Sequence, residues 1–202
     1  LGGKCGLMPC DDTLREWLHG RVEGEIEGVA ADDDAVYCQT VEVDLDKLCP
    51  QVAKPHKVDN VSPIAEVEGT PVQHAIIGTC TNGRIEDLEV AARILDGKKI
   101  AHGMTLTISP ASKAVYIEAI HRGYVETFLR AGATIAIPGC SGCSGGAYVG
   151  IPADGEAVIT TANRNFKGRL GNANSFLYLA SPATVAASAL TGCIEDSRNY
   201  VR

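Results

Sequence analysis

The sequence predicts an α/β fold, a layered sheet of mainly parallel strands with flanking helices. Three observations predict it. Short apolar runs recur through the second half of the chain. Between them lie segments whose apolar residues recur at helical spacing. Proline and glycine stand where those elements should start and stop. Strands that alternate with helices bury one another in a parallel, layered arrangement.

The regular part begins at a buried-type strand over residues 74–79. A helix follows over residues 85–95, with apolar residues at 85, 88, 91, 92 and 95 and Gly97 at its stop. Residues 104–108 are a second strand. Ser109-Pro110 reads as an N-cap with proline at the first helical position, opening a helix that Gly123 ends. A short helix covers residues 124–130. Residues 133–137, 157–161 and 176–179 are the third, fourth and fifth strands. Ser181-Pro182 opens a last helix to Leu190, with Gly192 after it. The region before residue 70 is less regular. It offers a helix over residues 13–20 around Trp17, an acidic stretch over 23–34 and a strand-like alternation over 41–45. Residues 49–63, rich in proline and charge, read as an extended connector. The chain therefore divides near residue 70, into residues 1–70 and 71–202.

Bulk properties narrow the function. The chain has 202 residues, 45% of them apolar and 21% charged, which describes a globular protein. Its formal net charge is −7, and no basic stretch offers phosphate neutralisation, so nucleic acid and anionic membranes are excluded as partners. No apolar run reaches the roughly 18 residues a bilayer span needs. The opening Leu1-Gly2-Gly3-Lys4-Cys5-Gly6 has no signal-peptide character and reads as the interior of a longer protein. The eight cysteines permit disulfides, but a chain of this size needs no such staples. Intracellular thiols, a few of them metal ligands, are the expectation.

Three clusters of chemical groups follow predicted strands. Gly78-Thr79-Cys80-Thr81-Asn82-Gly83-Arg84 follows the first. Pro138-Gly139-Cys140-Ser141-Gly142-Cys143-Ser144-Gly145-Gly146 follows the third. Asn163-Arg164-Asn165-Phe166-Lys167-Gly168-Arg169 follows the fourth. In a parallel sheet all three emerge on one edge, the edge where such sheets bind ligands. Cys140 and Cys143 form a C-x-x-C pair, and Cys80 is a third thiolate from a neighbouring loop. The surrounding glycines let backbone N–H groups approach sulfur. By itself the pair fits an iron–sulfur cluster, a structural zinc, a redox pair or two inert thiols. Three cysteines under a [4Fe–4S] cluster leave one iron open as a Lewis acid. Arg164 and Arg169, with Asn163 and Asn165 among them, suit bidentate carboxylate binding, and solvated surface arginines are the plain alternative. His74, His102 and His121 fall on element surfaces or ends, and His56 reads as structural. Glu86 and Asp87 sit in a first helical turn, where they favour the helix dipole. Cys5, Cys10, Cys38, Cys49 and Cys193 have no assigned role.

Taken together, the clusters resemble the aconitase superfamily. Gly78-Thr79-Cys80-Thr81-Asn82 resembles its G-S-C-T-N segment, with Thr79 where serine is commoner. Gly139-Cys140-Ser141-Gly142-Cys143 resembles its second and third cluster cysteines. Residues 163–169 resemble its N-R-N-F-x-G-R carboxylate-binding stretch. Residues 81–88 are most similar to large subunits of the 3-isopropylmalate dehydratase kind, and also resemble homoaconitase-type and 2,3-dimethylmalate dehydratase large subunits. The final helix resembles the end of those subunits, and residues 1–12 an interior segment. The resemblance spans nearly the whole chain and is weakest between about residues 20 and 50.

The resemblance implies an aconitase iron–sulfur domain over residues 71–202, preceded over 1–70 by the remnant of another aconitase-type α/β domain and a connector. It implies a [4Fe–4S] cofactor on Cys80, Cys140 and Cys143, and substrate binding by Asn163, Arg164 and Arg169. The reaction would be the dehydration and rehydration of a small hydroxy di- or tricarboxylic acid, foremost 3-isopropylmalate in leucine biosynthesis. Homoaconitate or 2,3-dimethylmalate is the alternative substrate, and a cluster-free or zinc-binding domain without activity of its own the alternative role. The family's Ser-Ser-Arg segment lies on a swivelling domain, in these relatives a separate small subunit, and is absent here. The catalytic base is thus expected on that partner, and further active-site groups on a missing N-terminal half. A cytoplasmic setting is implied.

Overall fold

The computed structural model describes residues 5–140 and 149–200. They fall into two compact units, Leu1–Lys47 and Leu48–Arg202.

Among its described residues the first unit holds one α-helix, α1 (Asp12–Leu18), started by the Asp11 carboxylate, which accepts from Leu14 N at 2.8 Å. No α1 residue is buried. The strand expected over residues 41–45 does not form. A strand requires a partner ladder, and this unit contains no strand among its described residues. Val41 and Val43 are exposed there.

The second unit is built on one sheet of seven strands: β1 (Gln51–Ala53), β2 (Val61–Pro63), β3 (His74–Ile77), β4 (Thr105–Ile108), β5 (Thr134–Ile135), β6 (Ala157–Thr160) and β7 (Phe176–Leu179). Their order is β2-β1-β7-β6-β3-β4-β5. Strands β7, β6, β3, β4 and β5 run parallel, while β1 pairs antiparallel with β2 and β7. The stretch expected as an extended connector is thus a hairpin that extends the sheet. Among the described residues four α-helices accompany the strands: α2 (Ile85–Leu95), α3 (Lys113–His121), α4 (Tyr124–Ala131) and α5 (Pro182–Thr191). None is long and apolar enough to cross a membrane.

The two sheet faces are covered differently. Ala75, Ile77, Leu106, Ile108 and Ile159 share one core with Leu88 and Leu95 of α2, Phe128 of α4 and Val185 of α5. The alternate residues Ile76, Val158 and Leu177 face a smaller core with Val149 and Leu170, which lie in loops. Right-handed crossovers demand this division. The connections β3 to β4 and β4 to β5 step across the sheet one way and carry α2, α3 and α4. The connection β6 to β7 steps the other way, so it passes over the opposite face. Each fully buried leucine or isoleucine in these cores contributes about 1.5–3 kcal/mol.

Several element boundaries differ from expectation, and two of them have a clear cause. The helix expected at Ser109-Pro110 starts later, with Ser112 as its N-cap, accepting from Val115 N at 3.2 Å. Residues 109–111 are engaged elsewhere, because Ser109 N donates to Ile77 O at 2.7 Å and Ala111 N to Gly83 O at 2.8 Å. The third strand is shorter than residues 133–137. Ala136 N still donates to Ile108 O at 2.8 Å, but Pro138 has no N–H to continue the ladder.

At the amino end of the parallel sheet, His74 Nε2 lies 2.9 Å from Glu156 Oε2, tying the starts of β3 and β6. The N–H of Ala153 donates to the same carboxylate at 2.6 Å. That bond first, and His74 second, hold the Glu156 carboxyl below its ordinary range. A depressed native pKa stabilises the fold above the ordinary glutamate value of about 4.3 and loses that contribution as pH falls through the native value. Replacing Glu156 by Gln is therefore expected to lower the urea midpoint at neutral pH, and the gap to the parent should shrink as pH is taken below about 4. A pH-independent gap would contradict this account.

Gly78 follows β3 with φ +97°, and a Cβ there would stand 1.9 Å from Ser109 O. Gly97 also has positive φ (+67°) but opens into space. Gly97→Ala should cost about 1–2 kcal/mol, the left-handed penalty alone. Gly78→Ala should cost that and about 1–3 kcal/mol more for the collision. Chemical unfolding of both variants checks the order.

Candidate functional site

The order of the parallel strands reverses between β3 and β6, since the chain proceeds from β3 to β4 and β5 on one side and from β6 to β7 on the other. Such a switch point leaves a crevice at the carboxyl ends of the strands. The loop after β3 carries Cys80, and the loop after β6 carries Asn163, Arg164 and Arg169. The two flank this crevice, and Thr161 latches them together. Gly78 N donates to Thr161 Oγ1 at 2.8 Å, Asn82 Nδ2 donates to Thr161 O at 2.7 Å, and Thr161 Oγ1 reaches Asn82 O at 3.4 Å. Thr161 is buried.

The Cys80 loop is shaped by Thr79, whose side chain is buried and accepts from Thr81 N at 3.2 Å and Asn82 N at 3.3 Å. This turns the backbone so that Cys80 faces outward, and its thiol is exposed. Arg84 N then donates to the Asp87 carboxylate at 3.0 Å, starting α2. Burial pushes the Asp87 carboxyl above its ordinary range, against the lowering effect of that bond.

On the other side, residues 109–111 join the Cys80 loop to the loop after β5. They accept from Gly139 N at Pro110 O (2.9 Å) and donate from Ala111 N to Gly83 O. Cys140, also exposed, follows Gly139 directly. Two of the three expected thiols therefore belong to loops held by one intervening segment. Cys143 lies outside the described residues. No group of three His, Cys, Asp or Glu side chains stands together among the described residues.

The third loop has an exposed start, a buried centre and a half-buried end. Asn163 and Arg164 are exposed, and Arg164 Nη1 donates to Asn163 O at 2.9 Å. Asn165 is fully buried. Its Nδ2 lies within reach of Lys54 O (2.9 Å), Lys57 O (3.2 Å) and Leu177 O (3.4 Å). Arg169 N donates to Phe166 O at 3.0 Å, closing a turn that sets the Arg169 guanidinium 5.4 Å from the Phe166 ring centroid. The Nε of Arg169 is buried without a hydrogen-bond partner. A half-buried guanidinium with unmet hydrogen-bonding capacity is suited to a carboxylate.

The structure places Cys80, Asn163, Arg164 and Arg169 on loops at one sheet edge, with Cys140 on the next loop but one. It adds two contributors that the sequence reading leaves out, Thr161 as the latch and residues 109–111 as the brace, and it makes Asn165, grouped by sequence with the arginines, a buried anchor. For Thr161 the available signal is a β-branched hydroxyl residue at the carboxyl end of an apolar strand. Residues 109–111 carry no such signal, since Ser-Pro reads equally as a helix start. His56, expected as structural, stacks on Phe176 with ring centroids 5.7 Å apart.

The aconitase family (aconitate hydratase) matches residues 64–192. Among curated relatives, a 3-isopropylmalate dehydratase large subunit 2 of Archaeoglobus fulgidus is 50% identical over 99% of this chain and 48% of its own length. A probable methanogen homoaconitase large subunit of Methanosarcina mazei is 50% identical over 98% of this chain and 50% of its own. A 3-isopropylmalate dehydratase large subunit 1 of Thermotoga maritima is 46% identical over 100% of this chain and 49% of its own. The chain spans about half the length of these curated relatives. With a family match across most of the sheet-bearing unit and relatives aligned along nearly all of its residues, this chain belongs to the aconitase family.

Proposed function

We propose that the chain is the cluster-bearing half of the large subunit of a [4Fe–4S] hydro-lyase that dehydrates and rehydrates a small hydroxy di- or tricarboxylic acid, foremost 3-isopropylmalate. The observation that carries the proposal is the latching of the Cys80 loop to the arginine loop through Thr161 at the crevice of one parallel sheet, in a chain 50% identical to a 3-isopropylmalate dehydratase large subunit. Cys80, Cys140 and Cys143 would hold the cluster. The donor set is all sulfur, which suits iron–sulfur and disfavours calcium or magnesium. Cys80 and Cys140 both expose their thiols on loops joined through residues 109–111. Held on three thiolates, such a cluster would supply Lewis-acid chemistry for loss of the substrate's hydroxyl.

The chain's own residues do the rest of the binding. Arg169, held against Phe166 with its Nε unmet, takes one substrate carboxylate, and Arg164 takes the second from the exposed edge of the crevice. Asn163 orients the substrate by its amide, beside Arg164. Two fixed carboxylates leave the reacting carbons little freedom, which is how positioning lowers the barrier. The base that removes the proton is assigned to a small partner subunit, and further active-site groups to the other half of the large subunit. The proposed setting is the cytoplasm.

A second substrate, homoaconitate, is favoured by one observation, the equal identity to the methanogen homoaconitase large subunit. Assay of the assembled enzyme with isopropylmalate and homocitrate-type acids separates the two by kcat/KM.

The metal assignment is tested by anaerobic reconstitution with iron and sulfide. The parent should show charge-transfer absorbance and three to about four irons per chain. Cys80→Ala, Cys140→Ala and Cys143→Ala should each lose both. One zinc per chain, bound through the same cysteines, would sink the hydro-lyase reading.

The arginine roles are tested in the assembled enzyme. Arg169→Lys keeps the charge but loses the fork, and should lower kcat/KM by about ten- to a hundredfold, the worth of a charge-assisted bidentate contact. An unchanged kcat/KM in Arg169→Lys would remove Arg169 from the site.

A further inference from the structure

Asn165 stands between the exposed Arg164 and the half-buried Arg169 and is itself fully buried. A buried amide in a loop needs a reason, because burying polar groups is costly unless they are hydrogen-bonded. Its Nδ2 faces three carbonyl oxygens from two other parts of the sheet. Lys54 O and Lys57 O belong to the turn between β1 and β2, and Leu177 O belongs to β7. Two N–H bonds cannot satisfy three acceptors singly, so the amide is shared among them. Its Oδ1 is buried with no partner. The amide therefore serves the carbonyls of other segments rather than its own loop.

The hairpin turn is in turn fixed at its far side. Lys54 N donates to Asn60 O at 2.8 Å, Asn60 N to Lys57 O at 3.3 Å, and Asn60 Nδ2 to Pro55 O at 3.2 Å. His56 stacks on Phe176, the first residue of β7. The turn over residues 54–60 is thus a compact block, and Asn165 is its hydrogen-bonded link to the arginine loop. Arg164 precedes that link directly. On the other side, the turn closed by Arg169 N and Phe166 O begins at the next residue.

We propose that Asn165 is a positioning residue that locks the hairpin turn over residues 54–60 to the loop over residues 163–169, and so sets where the Arg164 and Arg169 guanidinium groups stand. The proposal rests on the carboxylate-binding reading of that loop. It makes the β1–β2 hairpin, which carries none of the family-resembling site residues, a support of the binding site. The hairpin's effect passes through backbone carbonyls, so it does not depend on the side chains of Lys54 and Lys57.

The test uses the assembled enzyme with its partner subunit. Asn165→Ala removes the link, and a shortened hairpin, with residues 54–60 replaced by Asn-Gly, removes its Lys54 and Lys57 acceptors while leaving Asn165 in place. Each is expected to raise KM for the hydroxy-acid substrate about tenfold with kcat within about twofold, as loss of one hydrogen-bonded constraint would. The double variant should be no worse than the worse single, because both cut one connection. Val185→Ala, in the core under α5, should lower stability without raising KM. Hydrogen exchange supplies a readout independent of activity. In Asn165→Ala, amides of residues 54–60 and 163–171 should both exchange faster, while those of β3 and β4 are unchanged. Exchange that rises in only one of the two segments, or an Asn165→Ala enzyme with the parent KM, would overturn the proposal. Should the parent turn over no hydroxy acid, the hydro-lyase reading fails. The positioning role is then decided by exchange together with binding of tricarballylate as a plain tricarboxylate probe: an unchanged Kd in Asn165→Ala overturns it.

Discussion

Neighbouring strands of a parallel sheet end side by side, and their loops compete for one volume. In this chain the competition is resolved by removing side chains. Gly78 and Gly83 both approach Ser109 O so closely that a Cβ would stand 1.9 Å and 2.5 Å from it. This close approach lets Ser109 N reach Ile77 O and Ala111 N reach Gly83 O. The same inward turn of the Cys80 loop brings Asn82 to Thr161 on the opposite flank. The brace on one side and the latch on the other thus follow from one constraint. Without it, the loops after β3, β4 and β6 would each need their own support.

Much of this was legible in the sequence, and the reasons differ by element. Helix α2 declares itself by its apolar period and by Gly97 after it, and strands β3, β6 and β7 by being short apolar runs. Helix α5 is marked at both ends, by Ser181 as N-cap, accepting from Thr184 N, and by Gly192 in the left-handed conformation. The failures are equally physical. Residues 41–45 alternate like a strand, but alternation supplies only a face, and a strand also needs a neighbour to bond with. Ser109-Pro110 has the chemistry of a helix start, yet its backbone is claimed by loops far away in sequence. The β1–β2 hairpin hides in a proline-rich stretch because it lies at the sheet edge, where proline is tolerated. As for the candidate site, its loops were legible because they follow strands, whereas Thr161 and Asn165 act through contacts 79 to 111 residues away. No local pattern encodes such distances.

The connection geometry explains why the candidate ligands come from non-adjacent loops. Right-handed crossovers send α2, α3 and α4 over one face and the β6–β7 connection over the other. Cys80 opens a connection of the first kind, and the arginines lie in the second. The loop after β4, lying between the Cys80 and Cys140 loops, contributes no metal or carboxylate ligand of its own. It contributes backbone, which is what a spacer between two thiol loops requires.

The charge of the chain sets a final condition on the proposed site. A net charge of −7 gives an anionic substrate no long-range attraction. At physiological ionic strength fields beyond about 8 Å are screened in any case. Recognition of a di- or tricarboxylate then has to come from contact, and contact is only as good as the fixity of the groups that make it. Arg164 is exposed, and exposed side chains keep most of their rotational freedom. What can be fixed is the backbone that carries them. This gives a physical reason for a fully buried amide between two arginines. Asn165 spends its N–H groups on three carbonyls of the surrounding sheet, and the loop gains at its centre the rigidity that its exposed start lacks.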